Sequence, residues 1–481
     1  GGGYRTVVLG PQAKPGKEDL MHFLWQKAAP MKTIQAAVDA AAPHTLISVG
    51  QGTYPEEVVI ETHEGESKRG LVLKGQADPS LVRIKPGSGS AALSIRARDV
   101  VVSHVKTVGG GAGVMVHSTT LVHPVTGVQL HEIIIDDIDS QKQLDDGVFV
   151  IAGVAAIHAE DLSIQGLTIT DVVGQEVGLS GGVPSGLWIT DSEGVSIEQV
   201  SVEGVGHPDS LFTMKGCGLH LGGVKDVVLH GVTVTDITSN VGADAYGLRC
   251  QGCQSFDSQD LQVSGVIAGD GGDATGIGLL DAMGHVTLFG SRATGIYSND
   301  GADAVGLEIT SPSENLFEVD IRDLWIRDVQ GTSVTDDGGS FLGFTRGARI
   351  SLPGSIVLSR AGISRVENLA TDPGPTHGAG AIEVVDASSA LLSHLSVHHV
   401  ISSESTDGWS AFGVAATGSV PDGVIISNSI FQSISQGTSA TGSEDAEVHK
   451  TYSLEYWVSG TGADLPPGVT EGPGNILGTV A

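Results

Sequence analysis

The sequence is poor in aromatic residues, although it is far from polar. Only 4% of its 481 residues are Phe, Trp or Tyr, whereas 40% are hydrophobic and 69 are glycine. Such a chain turns often and packs with small aliphatic side chains, and its Val, Ile and Leu content excludes intrinsic disorder. We therefore expect a folded protein with an aliphatic core.

Basic residues are also scarce. Acidic residues outnumber them by 56 to 25, the formal net charge is −31, and no lysine occurs between Lys225 and Lys450. So acidic a surface repels phosphate backbones, which excludes nucleic acid as a partner. An anionic ligand in the lysine-free region needs arginine, histidine or a bridging cation.

Cysteines and long apolar runs are few as well. Cys217, Cys250 and Cys253 are too few for a disulfide framework. The Cys-x-x-Cys pair lacks a second ligand pair, which favours buried or disulfide-linked cysteines over a metal site. No stretch approaches the roughly 20 apolar residues that span a bilayer, so we expect no membrane span.

What the sequence does contain is a repeat. A glycine followed by alternating apolar residues recurs at near-constant spacing, which is typical of a solenoid. These anchor glycines are Gly113, Gly153, Gly186, Gly218, Gly247, Gly276, Gly306, Gly347, Gly380 and Gly413.

A second signature follows most anchors. It has five apolar positions separated by one, two, one and two residues, as in Val227, Leu229, Val232, Val234 and Ile237. Alternate positions share a strand face, and a gap of two marks a corner. The pattern predicts an all-β fold, a single right-handed parallel β-helix of about 12 coils with three short strands per coil. Propellers and leucine-rich solenoids have signatures that are absent here.

The two ends of the solenoid differ from its repeats. Residues 31–44 read as an amphipathic helix that caps the open end of the β-helix, because an uncovered end exposes apolar side chains and strand edges. We expect an N-terminal extension over 1–30 and the β-helix over 45–434. Residues 435–481 are expected to form a last coil and a C-terminal tail, which is either truncated or part of a longer polypeptide.

Two segments near the start, Ile34-Gln-Ala-Ala-Val38 and Gly52-Thr-Tyr-Pro-Glu56, carry a family resemblance. The chain resembles the pectin lyase-like β-helix superfamily, of the type found in secreted and surface-attached bacterial proteins. The resemblance is specific over about the first 75 residues and architectural beyond them. It implies a right-handed β-helix in an extracellular or cell-surface location.

The superfamily's catalytic motifs do not carry over intact. Polygalacturonase-like hydrolases need paired carboxylates, then Gly-His-Gly, then Arg-Ile-Lys. The chain offers Ser298-Asn-Asp300, Thr335-Asp-Asp337 and Thr376-His-Gly378, but its only Arg-Ile-Lys lies upstream at Arg83. Turn aspartates explain the partial match better than catalysis does, and the catalytic residues stay unassigned.

Aspartates in successive turns form the first candidate site. Equivalent turns before the anchors predict one column of Asp244, Asp273 and Asp303 and a neighbouring one of Asp270 and Asp300. Carboxylates about 4.8 Å apart repel, and calcium, with its oxygen ligands, would relieve that repulsion. In the alternative interpretation each Asp caps its own turn through backbone N–H groups.

A row of outward side chains forms the second candidate site. Trp188, His220, Arg249, Glu308 and Arg349 each occupy the outward position after an anchor's first apolar residue. An aromatic side chain with charged neighbours suits a sugar chain, although outward strand positions are ordinarily only polar and solvated.

These features predict a non-catalytic, secreted or cell-surface β-helix that serves as a stalk, adhesin or glycan-binding module. One alternative is a polysaccharide lyase or glycoside hydrolase with a diverged site, and another is a filament-forming structural subunit. The expected partners are a polysaccharide or cell-surface glycan, further copies of the chain, or fused domains.

Overall fold

The computed structural model divides the chain into two compact units, Gly1–Val205 and Gly206–Ala481. The residues that it describes are 5–9, 31–61, 68–87, 89–118, 123–140, 142–143, 149–173, 183–206, 215–299, 302–311, 318–332, 344–369, 378–402, 411–417, 424–427, 429–434, 448–451, 454–458, 469–471 and 476–478. Both units consist of short strands in three sheets, numbered here in the order in which the chain enters them from Thr45 onward. The predicted all-β class is confirmed. The helices among the described residues are Ile34–Ala40 and the 3-10 turn Pro79–Leu81.

Among its described residues, unit 1 contains eight strands in sheet 1, six in sheet 2 and five parallel strands in sheet 3. Sheet 1 comprises Arg5–Leu9, Thr45–Val49, Val72–Lys74, Val101–Ser103, Val125–Thr126, Gln129–His131, Ala159–Gln165 and Glu193–Glu198. Sheet 2 comprises Gly52–Tyr54, Val82–Ile84, Lys106–Val108, Ile134–Ile138, Thr168–Val172 and Ser201–Val205. Sheet 3 comprises Val58–Glu61, Ala91–Arg96, Ala112–His117, Phe149–Ile157 and Pro184–Thr190, with Lys142–Gln143 pairing antiparallel to the fourth strand.

In the part of unit 2 that the structure describes, sheet 1 has nine strands, sheet 2 has nine and sheet 3 has seven. Sheet 1 comprises Lys225–His230, Gln254–Gln259, Met283–Phe289, Glu318–Arg322, Ser355–Ser359, Ser389–Ser393, Val424–Ser427, Val448–Thr451 and Val469–Glu471. Sheet 2 comprises Thr233–Thr238, Gln262–Ile267, Arg292–Ser298, Trp325–Gly331, Gly362–Asn368, Ser396–Ser402, Ile430–Ile434, Leu454–Val458 and Ile476–Gly478. Sheet 3 comprises Gly216–Gly222, Ala245–Gln251, Ala274–Leu280, Ala304–Thr310, Phe344–Ser351, Gly378–Val385 and Ala411–Thr417.

The five apolar positions of each repeat line the inside of the coil. Val227 and Leu229 lie in sheet 1, Val234 and Ile237 lie in sheet 2, and all four are buried. The first gap of two residues is the corner between these sheets, where Gly231 has φ +63°. The second gap lies inside the sheet 2 strand, where Asp236 has φ +57°. The five positions therefore span two strands, and the anchor glycine begins the third.

The anchor glycines are required because their inner side has no room for a side chain. A Cβ on Gly247 would lie 2.1 Å from a methyl group of Val263 and 2.6 Å from the carbonyl oxygen of Gly276. Strand register shows that Gly380 is not an anchor, since it pairs with Arg346, and that Ala381 occupies the column after Gly347. The predicted anchor at 380 was wrong by one residue, because Gly378-Ala-Gly-Ala381 offers several equally small residues.

The helix at the start of unit 1 is held by the two segments that carry the family resemblance. Glu56 accepts the backbone N–H groups of Ile34 and Gln35 at 2.8 and 2.9 Å, which caps the helix N-terminus. The Gln35 amide accepts the N–H of Val59 at 2.7 Å and donates to its carbonyl at 3.1 Å. The amide thus satisfies the edge of the first sheet 3 strand as a neighbouring strand would.

Candidate functional site

The outer face of sheet 3 in unit 2 carries a row of polar side chains. In the strand Ala245–Gln251, Leu248 and Cys250 are buried inside the coil, so alternation directs Arg249 outward. The register pairs His220 with Arg249, Arg249 with Gly278, Gly278 with Glu308, Glu308 with Arg349, and Arg349 with Glu383. Four of the five residues predicted to form a ladder thus lie in one row, which Gly278 interrupts and Glu383 extends.

A second outward row lies immediately before the anchors. It contains Cys217, Tyr246, Thr275, Val305 and Arg346, which pair in that order. Tyr246 is 9% exposed and Arg346 only 7%. A guanidinium so far out of water needs partners on the protein.

Those partners form an ion network across the two rows. Arg346 pairs with Glu383 and, at 3.3 Å, with Asp303. Arg349 lies 3.4 Å from Glu308 and 3.6 Å from Glu383. Two guanidinium groups therefore face three carboxyl groups, and the network formed by Asp303, Glu308, Arg346, Arg349 and Glu383 carries an excess of negative charge.

The environment of Glu308 in this network disfavours the negative charge of its carboxyl group. Burial raises its pKa, and the charges of Asp303 and Asp273 raise it further, whereas Arg349 and Arg346 act in the opposite direction. A carboxyl group with a raised pKa keeps its proton to higher pH and is suited to donate it.

His220, Tyr246 and Arg249 occupy the start of the two rows. The Arg249 guanidinium lies 5.0 Å from the centre of the Tyr246 ring and donates to Gln251 Oε1 at 2.8 Å. Burial, followed by the charge of Arg249, lowers the pKa of His220 to about 4. Burial and the nearby Asp244 raise the pKa of Tyr246. At neutral pH the face therefore presents an uncharged imidazole and an uncharged phenol beside a permanent cation.

The aspartate column borders this face and is used for backbone hydrogen bonding. Asp244 Oδ1 accepts the N–H of Asp273 at 3.4 Å, and Asp273 Oδ1 accepts the N–H of Asp303 at 2.9 Å. Asp303 Oδ1 accepts the N–H of Phe344 at 2.7 Å. Each carboxylate thus accepts a hydrogen bond from the backbone of the next coil. The alternative interpretation had predicted a hydrogen bond to a backbone N–H group of the same turn.

The second oxygens of Asp244 and Asp303 have cationic or phenolic partners, that of Asp303 being Arg346. Lys215 Nζ lies 2.6 Å from Asp244 Oδ2, to which the Tyr246 hydroxyl also donates at 3.3 Å. Asp270 is exposed at its turn, and its carbonyl accepts the N–H of Gly242 at 2.7 Å. Asp300 lies outside the described residues.

Within the described part of the chain, no group of three or more His, Cys, Asp or Glu side chains is arranged to hold a metal ion. The geometry uses the carboxylates of Asp244, Asp273 and Asp303 without requiring a cation. Calcium binding by the predicted aspartates stays a prediction.

Trp188 belongs to unit 1, where the part of the outer face of sheet 3 around it is apolar. Its strand pairs it with Ala155, which pairs in turn with Met115. The Trp188 ring packs against a buried cluster formed by Ala91, Ala112, Met115, Val150, Ala152 and Ala155. This tryptophan therefore contributes to packing in its own unit.

The cysteines follow the expectation for buried or disulfide-linked residues. Cys250 and Cys253 form a disulfide, and Cys217 is a buried thiol whose pKa is raised to about 12 by burial. A thiol with so high a pKa is unreactive at neutral pH.

Several residues of the face escape prediction from the sequence. Glu383 was missed because the anchor was placed at Gly380, which assigned the outward position to Ile382. Arg346 and Tyr246 were missed although a signal existed, since both directly precede an anchor glycine. The partly matching hydrolase segments at 335–337 and 376–377 lie outside the described residues.

No protein-family model and no curated protein sequence matches the chain. Solved structures do resemble it. The A-module of mannuronan C-5 epimerase AlgE4 from Azotobacter vinelandii matches with 13% identity over 91% of this chain and 94% of that one, with a TM-score of 0.36.

The catalytic domain of a GH87 alpha-1,3-glucanase matches with 10% identity over 96% of this chain and 70% of that one, with a TM-score of 0.39. The corresponding enzyme from Streptomyces thermodiastaticus has 12% identity, coverage of 92% and 65%, and a TM-score of 0.36. At such identities and TM-scores, these matches assign no role to any residue of this chain. No helix among the described residues is long and apolar enough to cross a membrane.

Proposed function

We propose that the protein acts on a polysaccharide at the outer face of sheet 3 in unit 2, as a lyase or a glycoside hydrolase. The observation that carries this proposal is the position of Glu308, a partly buried carboxyl group with a raised pKa beside Arg349 in an outward row. Perturbed carboxyl groups on an open face are typical of acid–base catalysis, although structural ion networks also produce them.

The chemistry of the face suits both reactions. Glu308 in its protonated form would protonate the oxygen of the leaving sugar. In a lyase, Glu383 would take the proton next to a sugar carboxylate that Arg349 neutralises, so that a carbon–carbon double bond forms as the carbon–oxygen bond to the leaving sugar breaks. In a hydrolase, a second carboxylate such as Glu383 would activate water.

A second function rests on a different feature of the same face. Arg346 and Arg349 are already paired with Asp303, Glu308 and Glu383. A surface whose charged groups are already paired with one another favours retention of a glycan without turnover, as a stalk, adhesin or glycan-binding module would require.

Incubation with a panel of acidic and neutral polysaccharides distinguishes the two functions. New unsaturated ends indicate a lyase, new reducing ends without unsaturation indicate a hydrolase, and retention without either indicates a binder. For an enzyme, we expect Glu308→Gln to lower the rate by about 100-fold or more. The variant Arg349→Gln tests the arginine beside Glu308. Its matched control is Arg322→Gln, because Arg322 also lies outward on a strand and pairs with a carboxylate, Asp320.

Location and assembly also stay predictions. The proposed substrate fits a protein at the bacterial cell surface or outside the cell, where such polymers occur. Size-exclusion chromatography at several concentrations, with negative-stain imaging, tests the filament alternative, since an end-to-end assembly grows with concentration.

A further inference from the structure

Trp325 is an exposed aromatic side chain on the outer face of sheet 2 in unit 2. It begins the strand Trp325–Gly331, and 53% of its surface is accessible to solvent. Exposed tryptophan is uncommon because burial of its large apolar surface is so favourable. This side chain therefore needs an explanation.

The ring lies flat against the sheet. Trp325 pairs with Gly362 in the next coil, and a Cβ on that glycine would lie 2.4 Å from ring atoms Cε3 and Cζ3. The indole therefore covers the backbone of Gly362 on one side, and its exposed area belongs to the side that faces solvent. A ring fixed in this way loses little entropy when a ligand stacks on it.

Arginines border the ring. Arg292 precedes Trp325 in the same column and is exposed. Arg327 is two residues along the strand; its Nε lies 3.2 Å from Asp328 Oδ2, and 60% of its side chain is exposed. Arg365 lies in the next coil, 3.1 Å from Asp328 and 3.9 Å from Glu367. Three arginines thus face two carboxylates near the ring, which makes this patch locally basic in a chain of net charge −31.

Hydroxyl and imidazole groups continue the two columns. Ser396 follows Gly362, and His398 follows Ser364 in the column of Arg327. Ser396 Oγ lies 2.6 Å from His398 Nε2. The surface around the indole therefore combines an apolar platform, guanidinium donors and hydroxyl groups, which are the groups that bind a sugar ring and its carboxylate.

We propose that sheet 2 of unit 2 carries a second polysaccharide-binding surface, centred on Trp325, for an acidic polysaccharide built from uronate residues. The indole stacks on a sugar ring, and Arg292 and Arg327 pair with carboxylates of the polymer. This surface is distinct from the face of sheet 3 and does not rest on the function proposed for that face. The structural alternative is that Trp325 only shields Gly362, as aromatic residues do beside glycines in sheets.

Affinity for polygalacturonate, measured by titration calorimetry, tests the proposal. All proteins carry Glu308→Gln so that turnover does not consume the probe. Trp325→Leu still covers Gly362 but lacks the aromatic face, and we expect it to weaken binding about tenfold or more. Arg292→Gln weakens it less. Phe289→Leu is the matched control, because Phe289 is a 40% exposed aromatic residue on sheet 1, and it leaves the affinity unchanged.

The methyl-esterified form of the same polymer is the matched control ligand, since it keeps the sugar backbone and lacks the charge. The proposal predicts that it binds clearly more weakly. Unchanged affinity of Trp325→Leu, equal binding of both polymers, or no binding at all overturns it. If the platform variants lose binding while the protein with Glu308 intact forms no products, the function proposed for sheet 3 fails and this inference stands.

Discussion

On the outer face of sheet 3, the row of side chains from Met115 to Trp188 in unit 1 is apolar, whereas the equivalent row in unit 2 is charged, although equivalent strands with an anchor glycine form both. Elsewhere on this face, unit 1 also carries the polar side chains of Glu61, Arg96 and His117. The position after the first inward residue is Met115, Ala155 or Trp188 in unit 1, and His220, Arg249, Glu308 or Arg349 in unit 2. Meanwhile the inward columns are aliphatic in both units.

This difference shows how a β-helix separates stability from function. Packing inside the coil specifies the fold and tolerates little change, whereas outward positions are free to acquire apolar contacts or a charged site. Around Met115 and Trp188, unit 1 uses them for packing. Unit 2 uses them for a network of partly buried charges, which is costly to build and therefore points to a function.

The largest expected effect is the loss of a charge from the face of unit 2. Arg346→Leu leaves Asp303 and Glu383 without their shared cation, and we expect a destabilisation of about 3–5 kcal/mol in urea unfolding. The double variant Arg346→Leu with Glu383→Leu makes the face resemble that of unit 1 and should recover most of the loss. A double variant less stable than the single one would contradict this account.

On the apolar face of unit 1, stability should depend on the volume of the buried side chains instead of on their charge. Met115→Ala removes a fully buried side chain from its cluster, and we expect a destabilisation of about 2–4 kcal/mol by the same measurement. Met115→Leu is the control and should cost less than about 1.5 kcal/mol, because it keeps the volume. Equal losses for the two variants would show that Met115 is not packed as described.

The pH dependence of unit 2 should reveal its buried imidazole. The pKa of His220 is lowered from 6.5 to about 4, so between these values the unfolded chain binds the proton more readily than the folded one. Stability is therefore complete above pH 6.5 and falls as the pH drops towards 4, by about 1–3 kcal/mol. His220→Gln should flatten this part of the thermal unfolding profile.

Glu308 provides a control, because its pKa shift changes stability with pH in the direction opposite to that of His220. Its pKa is raised, so its contribution to stability is present at low pH and is lost as the pH rises through the folded pKa. Glu308→Gln should remove that loss and leave the effect of His220 in place. Parallel changes in the two variants would contradict the assigned environments.

The smallest expected effect concerns calcium, because the aspartates of unit 2 already have partners. If calcium binds at Asp244, Asp273 and Asp303, a chelator lowers the thermal midpoint slightly, and Asp273→Asn removes the difference. A midpoint that does not change when the chelator is added rules out structural calcium.

Much of the fold was predictable because its signals are periodic. The spacing of Val227, Leu229, Val232, Val234 and Ile237 reflects two strands with a left-handed residue at each gap, and this pattern repeats in many coils. Because the pattern repeats, an error in assigning one coil is corrected by comparison with the other coils. Gly380 shows the limit, since a run of small residues left the register ambiguous by one position.

The candidate site was predictable only in part. Alternation along the strand indicated that Arg249, Glu308 and Arg349 point outward, because side-chain direction is a local property. Their pairing with Arg346 and Glu383 was not predictable, since it depends on the register between coils and on rotamers of long side chains. The hydrogen bonds that the aspartates accept from the backbone of the next coil were likewise not predictable, because they depend on how neighbouring coils are placed.

The sequence by itself determined that the chain stacks its coils, which residues fill the inside and which side chains lie outward, because a repeated one-dimensional pattern encodes a repeated local geometry. Only the tertiary structure decided which outward charges meet, which of them lose contact with water and which ring lies over a glycine. Those outcomes depend on distances between coils that are far apart in sequence, and no local spacing specifies them.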